Sequence, residues 1–207
     1  MSINAKEYIE NPCKSSSLPY WKSKSIVIPS NLIILREDEY KGDIDGYIDK
    51  PYFKLIHHLK YVDKPAIIDG YTLINITPEE LVNHIKDCYQ DIGITIEEAY
   101  SYQNREVYDK DLWLGLKDNK TNKVIASGIG EIDKTIKEGT LEWIQVSPDY
   151  RGLGFGKLIV EELLSRMLNK ADFVTVSGKV NNPTNPLKLY ELCGFENKVI
   201  WHILHKK

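Results

Sequence analysis

The sequence predicts an α/β protein, on the strength of three observations. From about residue 66, segments with strand patterning alternate with segments whose apolar residues recur at the helical period, in the order βααβββαβαβ. A glycine-rich segment joins one of these strands to the helix that follows it. The 207 residues are 42% apolar, which is enough for one domain with its own core and an extension. We therefore predict an N-terminal extension, residues 1–65, and a regular domain, residues 66–207.

The extension lacks this regular alternation. Serines at 15–17 and a proline at 19 predict an irregular start, and residues 26–36 predict two short strands around a Pro-Ser-Asn turn. Residues 37–50 are acidic and contain glycine, so we expect an exposed loop there. Residues 51–59 fit either a strand or a short helix, and their periodicity does not decide between the two.

The regular domain begins with a strand over residues 71–76, followed by two helices. Thr77 and Thr95 each stand three residues before a glutamate, which is the capping-box pattern that begins a helix. Proline follows Thr77 at the first helical position, and the second helix extends to about Ser101. Three strands are predicted next, over residues 111–116, 124–132 and 140–146, with a turn at 118–122 between the first two.

The most informative segment is 146–168, with the sequence VSPDYRGLGFGKLIVEELLSRML. Its three alternating glycines are followed by apolar pairs that recur every four residues, so a helix begins at the glycines. The first turn of a helix has unpaired N–H groups and a partial positive charge, and glycines let an anion approach them closely. Arg151 and Lys157 add positive charge. The segment therefore predicts a phosphate-binding loop.

Two common glycine loops do not fit this segment. A P-loop requires a hydroxyl residue after its lysine, but Leu158 follows Lys157. The dinucleotide-binding pattern GxGxxG would require a glycine at position 157. The pattern that remains is RxxGxG after a strand. A turn that merely caps a helix rarely carries three glycines and an arginine, so we prefer the binding interpretation.

The chain ends with three further elements. We predict a strand over residues 173–177, a helix over 186–193 and a last strand over 195–204. Gly194 is well placed to end the helix as its C-cap residue, because glycine readily adopts the left-handed conformation found there.

Two segments resemble signature motifs of the GNAT superfamily of N-acyltransferases. In VSPDYRGLGFGKL, Arg151, Gly154 and Gly156 occupy the R/Q-x-x-G-x-G/A positions of the acyl-CoA motif. In LKLYELCGF, residues 187–195, Tyr190 begins the family's later Tyr-x-x-x-Gly-Phe motif. The motifs occur in the family's order, and the predicted element order matches as well. The resemblance implies a GNAT fold over residues 66–207, with a mixed central sheet that has helices on both faces.

The resemblance implies acetyl-CoA as a co-substrate. Its pyrophosphate would bind the loop amides beside Arg151, and its pantetheine arm would lie along the backbone of Ile144 and Val146 like an added strand. The other loop residues with this implied binding role are Gly152, Leu153, Gly154, Phe155, Gly156 and Lys157. The family commonly has an asparagine seven residues before its tyrosine, where this chain has Pro183. Asn182 and Asn185 flank that position, and we assign the CoA contact to Asn182.

Two proton transfers would accompany acyl transfer, because an amine must lose a proton before it attacks and the thiolate must gain one. The resemblance places Tyr190 at the general-acid position. Glu142 is the first candidate for the base, since strand alternation would put it on the same face as Ile144 and Val146, with Trp143 opposite. In the histone-acetylating branch of the family, the position of the basic glutamate corresponds to Thr140, two residues earlier.

Other assignments of the base stay open. Glu131 in the preceding strand is the second candidate, and water is the third. A purely structural role for Glu142 in its strand fits the sequence as well as the base role does.

We therefore expect an enzyme, an acetyl-CoA-dependent N-acetyltransferase that acts on an amine of a small molecule or a peptide. The alternative is a non-catalytic acyl-CoA-binding sensor or interaction module on the same fold. Acidic residues near the site weakly favour a cationic acceptor. Aromatic residues in the extension either anchor it or cover one wall of the acceptor pocket, and we favour anchoring. The family often pairs subunits through its last strands, so residues 199–204 offer an edge for a homodimer, although their burial within one chain would give the same sequence pattern.

Composition argues against several kinds of partner. A net charge of −3 and a pI near 6.0 give no basic field for nucleic acid. No apolar run approaches the ~18 residues that cross a bilayer, and no signal-peptide core is evident, so we expect no membrane partner and a cytoplasmic location. Three widely spaced cysteines predict reduced thiols. His84 and Cys88 could share a metal, but without further ligands we expect no metal site.

Overall fold

The computed structural model describes residues 3–65, 68–89 and 93–207. The helices are α1 (Ala5–Glu10), α2 (Pro12–Ser15), α3 (Tyr20–Ser23), α4 (Pro78–Cys88), α5 (Ile96–Tyr102), α6 (Phe155–Met167) and α7 (Pro186–Leu192). The strands are β1 (Leu32–Arg36), β2 (Tyr47–His57), β3 (Tyr71–Asn75), β4 (Tyr108–Asp118), β5 (Val124–Asp133), β6 (Glu138–Val146), β7 (Phe173–Lys179) and β8 (Glu196–Lys206). The predicted fold class, a mixed sheet with flanking helices, is confirmed.

The chain divides into two compact units. Unit 1 comprises Met1–His58 and Thr175–Lys207, and unit 2 comprises Leu59–Val174. The boundary after residue 65 that the sequence suggested stays a prediction. None of the helices in the described part of the chain has the length and apolar character that a membrane span requires.

In unit 2, the strand order is β6-β5-β4-β3, and neighbouring strands are antiparallel. The two predicted capping boxes are present, since Thr77 with Glu80 and Thr95 with Glu98 exchange side-chain and backbone hydrogen bonds at the starts of α4 and α5. These caps explain why the sequence located both helix starts correctly.

Helices cover both faces of the unit 2 sheet. On one face, α4 and α5 bury a core that includes Leu81, Ile85 and Ile129. On the other face, α6 lies close to β5 because the strand has glycine at position 128. A Cβ there would be 2.8 Å from the Ile159 side chain of α6, so the missing side chain allows the helix to approach. The sheet that carries the glycine loop is therefore packed on both sides.

Strand β6 contains a bulge that changes which of its side chains share a face. Ser127 pairs with Gln145, whereas Ile129 pairs with Glu142, so one residue of β5 lies opposite two residues of β6. Trp143, one of these two, has a φ of +53°, in the left-handed region. The alternation expected for a regular strand is therefore broken between Glu142 and Gln145.

The bulge makes two of the expectations for β6 wrong. The side chain of Ile144 points toward α6, with its Cδ1 2.5 Å from where a Cβ of Gly128 would be. Glu142 instead lies on the face of its partner Ile129, toward α4 and α5, so it does not share a face with Ile144 and Val146. Trp143 packs against the same core as Ile129 and is therefore not opposite Glu142.

In unit 1, the strand order is β1-β8-β2-β7, where β7 contributes its part from Thr175 onward. Residues 199–204, the expected dimer edge, lie in β8, which pairs with β1 on one side and β2 on the other. These residues therefore form no free sheet edge, because both sides of β8 are already hydrogen-bonded, while the homodimer itself stays a prediction. Residues 51–57 belong to strand β2, which decides between the two predicted alternatives.

The start of the extension agrees with the prediction only in part. Residues 16–19 are irregular, as the serines and the proline predict, but three short helices lie around them, and the side chains of Asn4 and Asn11 cap the first two. Residues 26–28 form no strand, and Val27 is 87% exposed. Apolar β-branched residues favour strands through packing and pairing, so composition alone was a poor guide here.

Candidate functional site

The glycine loop has the backbone geometry that only glycine adopts readily. Gly152 and Gly154 have φ values of +80° and +87°. A Cβ built on either residue would meet no other heavy atom within 4 Å. The glycines are therefore required by the backbone conformation, and the space outside the loop is open.

The loop leads directly into the N-terminus of α6. The amide of Leu158 donates to the carbonyl of Gly154 at 3.1 Å, which is the first bond of the helical ladder. The N–H groups of Phe155 and Gly156 consequently have no partner within the helix, and Gly154 provides no side-chain cap. This arrangement suits an anion, because the donors and the helix dipole both favour negative charge.

Arg151 is held in place at the edge of the loop. Its Nε donates to the carbonyl of Val146 at 3.1 Å, and its Nη2 donates to the carbonyl of Cys88 at 3.3 Å. The residue is exposed, so a fixed guanidinium stands beside the open loop. Lys157 differs, because its ammonium forms an ion pair with Glu161 one turn later in α6.

The two apolar residues of the loop have different environments. Leu153 is 59% exposed, whereas Phe155 is 3% exposed and packs against the ring of Tyr71 with centroids 4.6 Å apart. Phe155 can therefore contribute its backbone amide to a ligand, while its side chain belongs to the core.

Both candidates for the base contact one arginine. The Nη1 atom of Arg105 lies 2.6 Å from Glu131 Oε1 and 3.5 Å from Glu142 Oε2. Its guanidinium also stacks over the ring of Tyr102 at 3.5 Å. Burial lowers the pKa of Arg105, but the hydrogen bond to Glu131 and the charges of both carboxylates raise it more, so that the net pKa lies above its ordinary value.

A buried hydrogen-bond network that the sequence reasoning missed surrounds His84. The Nδ1 and Nε2 atoms of its ring lie 2.7 Å from the Ser127 hydroxyl and 3.0 Å from the Ser147 hydroxyl. Gln145 donates to the same Ser127 oxygen at 2.7 Å. Polar residues in otherwise apolar strands were the only sequence signal. Among the described residues, no group of three or more side chains suited to a metal occurs here or elsewhere.

Burial shifts the acid–base behaviour of this cluster. Desolvation lowers the pKa of His84 to about 4, so the ring is neutral near pH 7. Desolvation likewise raises the pKa of the Cys88 thiol to about 11. The two side chains contact each other, with 3.5 Å between Sγ and Nε2, and both belong to the packed interior.

The remaining predicted site residues lie in unit 1. Tyr190 of α7 is 5% exposed, and its ring packs against Phe53 and Phe195 with centroids 6.2 and 5.6 Å away. Asn182 forms a local turn, since its Oδ1 accepts hydrogen bonds from the amide and hydroxyl of Thr184 at 3.0 and 2.8 Å. Unit 2 contains the other predicted residues, among them Glu142, Arg151 and the loop glycines. The individual role of each of these residues stays a prediction.

Comparison with protein families identifies one match. Residues 109–197 match the family model described as an acetyltransferase (GNAT) domain. The matched range includes the glycine loop, Glu131, Glu142 and Tyr190. No curated protein sequence matches the chain.

Solved structures of GNAT proteins share the fold. A GCN5-related N-acetyltransferase from Sphaerobacter thermophilus aligns with a TM-score of 0.63 and 17% identity, over 76% of this chain and 52% of that one. An acetyltransferase from Colwellia psychrerythraea aligns with a TM-score of 0.58 and 14% identity, over 90% and 69%. A GNAT-family structure from Novosphingobium aromaticivorans aligns with a TM-score of 0.55 and 16% identity, over 85% of this chain and 75% of that one. The chain thus spans about half the length of the first of these structures.

Proposed function

We propose that this chain, whose residues 109–197 match the GNAT acetyltransferase domain, transfers the acetyl group of acetyl-CoA to an amine of a small molecule or a peptide. The observation that carries the proposal is the glycine loop. Gly152 and Gly154 at positive φ open onto the uncapped N-terminus of α6, beside the anchored guanidinium of Arg151. An anion such as a pyrophosphate is the natural ligand for this arrangement.

Acetyl-CoA would be held by backbone and by charge. The amides of 152–156 and the guanidinium of Arg151 would bind its pyrophosphate, and the pantetheine arm would follow the backbone of Ile144 and Val146. The bulge at Trp143 lies next to these residues and interrupts the regular β5–β6 ladder there. We assign a contact with the CoA arm to Asn182 as well.

The reaction requires a base for the acceptor. The amine nitrogen forms a bond to the acetyl carbon while the bond from that carbon to sulfur breaks, and the ammonium proton must leave first. We assign this proton to Glu142, directly or through water. The side chain of Glu142 is 18% exposed and 3.5 Å from Arg105, whereas that of Glu131 is 3% exposed and held at 2.6 Å. Glu142 is therefore the more accessible of the two carboxylates.

The departing thiolate takes up a proton, which we assign to the hydroxyl of Tyr190. A phenol near pKa 10 can protonate a thiolate whose conjugate acid titrates near 8.5 if the fold positions it. The contacts of the Tyr190 ring with Phe53 and Phe195 support this role, because they restrict the movement of the ring.

The acidic residues of this region favour a cationic acceptor. Glu131 and Glu142 lie side by side at one guanidinium, that of Arg105. Acidic side chains at this place would attract the ammonium form of an amine before deprotonation.

Calorimetric titration of acetyl-CoA, and of CoA alone, tests the binding step. We expect binding that is lost in Arg151→Ala and Gly154→Val and kept in Arg36→Ala, in which the substituted arginine pairs with Asp38 in unit 1. Equal binding by all four proteins, or no binding by the unaltered chain, would contradict the proposed binding of CoA by the glycine loop and Arg151.

An acyl-CoA sensor without turnover is the second candidate, and Tyr190→Phe separates the two. With amine libraries and thiol release as the readout, the enzyme should lose most of its rate in Tyr190→Phe while it retains acetyl-CoA binding. A sensor would bind acetyl-CoA and release no thiol with any amine.

A further inference from the structure

Two carboxylates lie on the same face of the unit 2 sheet as diagonal neighbours. Strand pairing places Glu131 opposite Thr140 and Glu142 opposite Ile129, so the two glutamates stand two residues out of register on β5 and β6. Like charges this close on one sheet face repel, and such a pair is stable only with a counterion or a proton.

Arg105 provides the counterion, and it is fixed from three directions. Its guanidinium contacts Glu131 at 2.6 Å, lies 3.5 Å from Glu142 and stacks on Tyr102. The backbone around it is also tied down, because the amide of Arg105 donates to Tyr102 and its carbonyl accepts from Tyr108. The arginine therefore has little freedom to leave the two carboxylates.

We propose that Arg105 is a positioning residue that holds Glu142 as a carboxylate, and that Glu131 is the anchor that holds Arg105. The inference rests on the proposed function, in which Glu142 takes the acceptor's proton. The unequal distances assign the roles: the buried, short contact to Glu131 fixes the guanidinium, and the longer contact leaves Glu142 able to meet an amine.

The charges near Glu142 come from two elements besides its own strand. Glu131 faces it from β5 and Arg105 from the segment after α5, with the phenols of Tyr102 and Tyr108 close to that arginine and to Glu131. Burial and nearby acidic groups raise the pKa of Tyr108, so this phenol stays neutral wherever a carboxylate titrates. The charged groups beside Glu142 thus include one positive and one negative neighbour.

The test compares Glu131→Gln with the double variant Glu131→Gln/Arg105→Gln, since neither leaves the buried Glu131 charge without its cation. In the single variant Glu142 keeps Arg105 and loses a negative neighbour, so the acidic limb of the pH profile of kcat/KM should move to lower pH than in the unaltered protein. Removal of Arg105 as well should shift the acidic limb of the profile to a pH about one unit higher. On the acidic side of that limb, kcat/KM should then be about tenfold lower. Arg105→Lys in the Glu131→Gln background keeps the charge and should largely restore the single-variant profile.

A second readout does not need turnover. Nuclear magnetic resonance of protein labelled with ¹³C at the glutamate carboxyl carbon can follow Glu142, whose signal is the one absent from Glu142→Gln. The pH at which this signal titrates should change among the variants in the same order as the acidic limb of kcat/KM. The same Glu142 titration in the single and double variants would overturn the proposal. Failure of the proposed function shows separately, as absent acetyl-CoA binding or absent thiol release in the unaltered protein.

Discussion

His84 Nδ1 and the hydroxyl of Ser127 lie 2.7 Å apart in the interior of unit 2, and this contact joins His84 to a chain of buried polar groups. Gln145 donates to the same hydroxyl oxygen, which keeps its own O–H and a second lone pair for the ring. The other ring nitrogen, Nε2, lies 3.0 Å from the hydroxyl of Ser147. Each ring nitrogen therefore has a hydroxyl partner that can donate or accept, so the buried neutral ring is satisfied in either tautomer.

The stability of the protein should fall as the pH decreases from about 6.5 to about 4. Burial lowers the pKa of His84 from 6.5 to about 4, so the unfolded chain binds this proton before the folded one does. The contribution of the neutral His84 to the free energy of unfolding is fully present above pH 6.5 and is lost by about pH 4. It amounts to about 3 kcal/mol. Urea denaturation at a series of pH values measures it.

Comparison of variants isolates this effect from carboxylates that titrate in the same range. His84→Gln should be less stable near neutral pH but show a shallower slope between pH 6.5 and 4. The matched control is His58→Gln, because the side chain of His58 is 41% exposed. It should keep the slope of the unaltered protein. An equal slope in His84→Gln would refute the assignment.

Alanine substitutions in the glycine loop and in the sheet should affect stability and acetyl-CoA binding differently. Gly154→Ala forces a positive φ on a residue with a Cβ but creates no clash, so it should cost about 1 kcal/mol of stability. It should weaken acetyl-CoA binding more strongly, because the new methyl group lies where the anion would approach. Gly154→Asn should cost less stability, since asparagine tolerates this conformation.

Gly128→Ala is the matched substitution in the sheet. Its Cβ would lie 2.5 Å from Ile144 and 2.8 Å from Ile159, so overpacking should cost about 1–3 kcal/mol. Denaturant midpoints and calorimetric titration measure both quantities for each variant. A loop variant that loses more stability than the sheet variant, with unchanged acetyl-CoA binding, would contradict this distinction.

The three cysteines should be unreactive in the folded protein. Cys13, Cys88 and Cys193 are 2%, 8% and 9% exposed, and burial raises the pKa of Cys88 to about 11. We expect an aromatic disulfide reagent to label no thiol rapidly in buffer and all three in denaturant. Rapid labelling of Cys193 in the folded protein would contradict this expectation.

Much of unit 2 could be predicted because its signals are local. Capping boxes at Thr77 and Thr95 and the glycines before α6 each fix a helix start through a few neighbouring residues. The loop at 152–156 was predicted for the same reason, since its glycines satisfy a backbone requirement that is visible in the sequence.

The features that were predicted incorrectly depend on distant partners. The bulge at Trp143 is set by pairing with β5 and by packing against α4, neither of which alternation within β6 records. The same holds for β8, which is not an edge only because β1, far earlier in the chain, pairs with it. The His84 network joins residues from three separate elements, so no single segment indicates it.

The N-terminal helices of unit 1 should depend on a buried lysine. Lys54 is 1% exposed, and its ammonium donates to the Tyr8 hydroxyl at 2.8 Å and to the carbonyls of Ser16 and Leu18 at 3.0 and 2.7 Å. It thereby ties the segment that contains α1 and α2 to strand β2. Lys54→Met keeps the apolar stem but removes the donor from all three acceptors. The variant also avoids the desolvation of an ammonium on folding, and this offsets part of the lost hydrogen bonding. We therefore expect the free energy of unfolding to fall by about 2 kcal/mol.

Limited proteolysis locates the effect, because loss of this tie should expose the first residues before the rest of the protein. Lys54→Met should be cut early within residues 1–23, while Lys6→Met, a substitution of an exposed lysine in α1, should be cut no faster than the unaltered protein. Denaturant titration of both variants gives the accompanying change in stability. If Lys54→Met kept its stability and its resistance to proteolysis, the N-terminal helices would be held by their apolar contacts, and the buried ammonium would have no part in anchoring the extension.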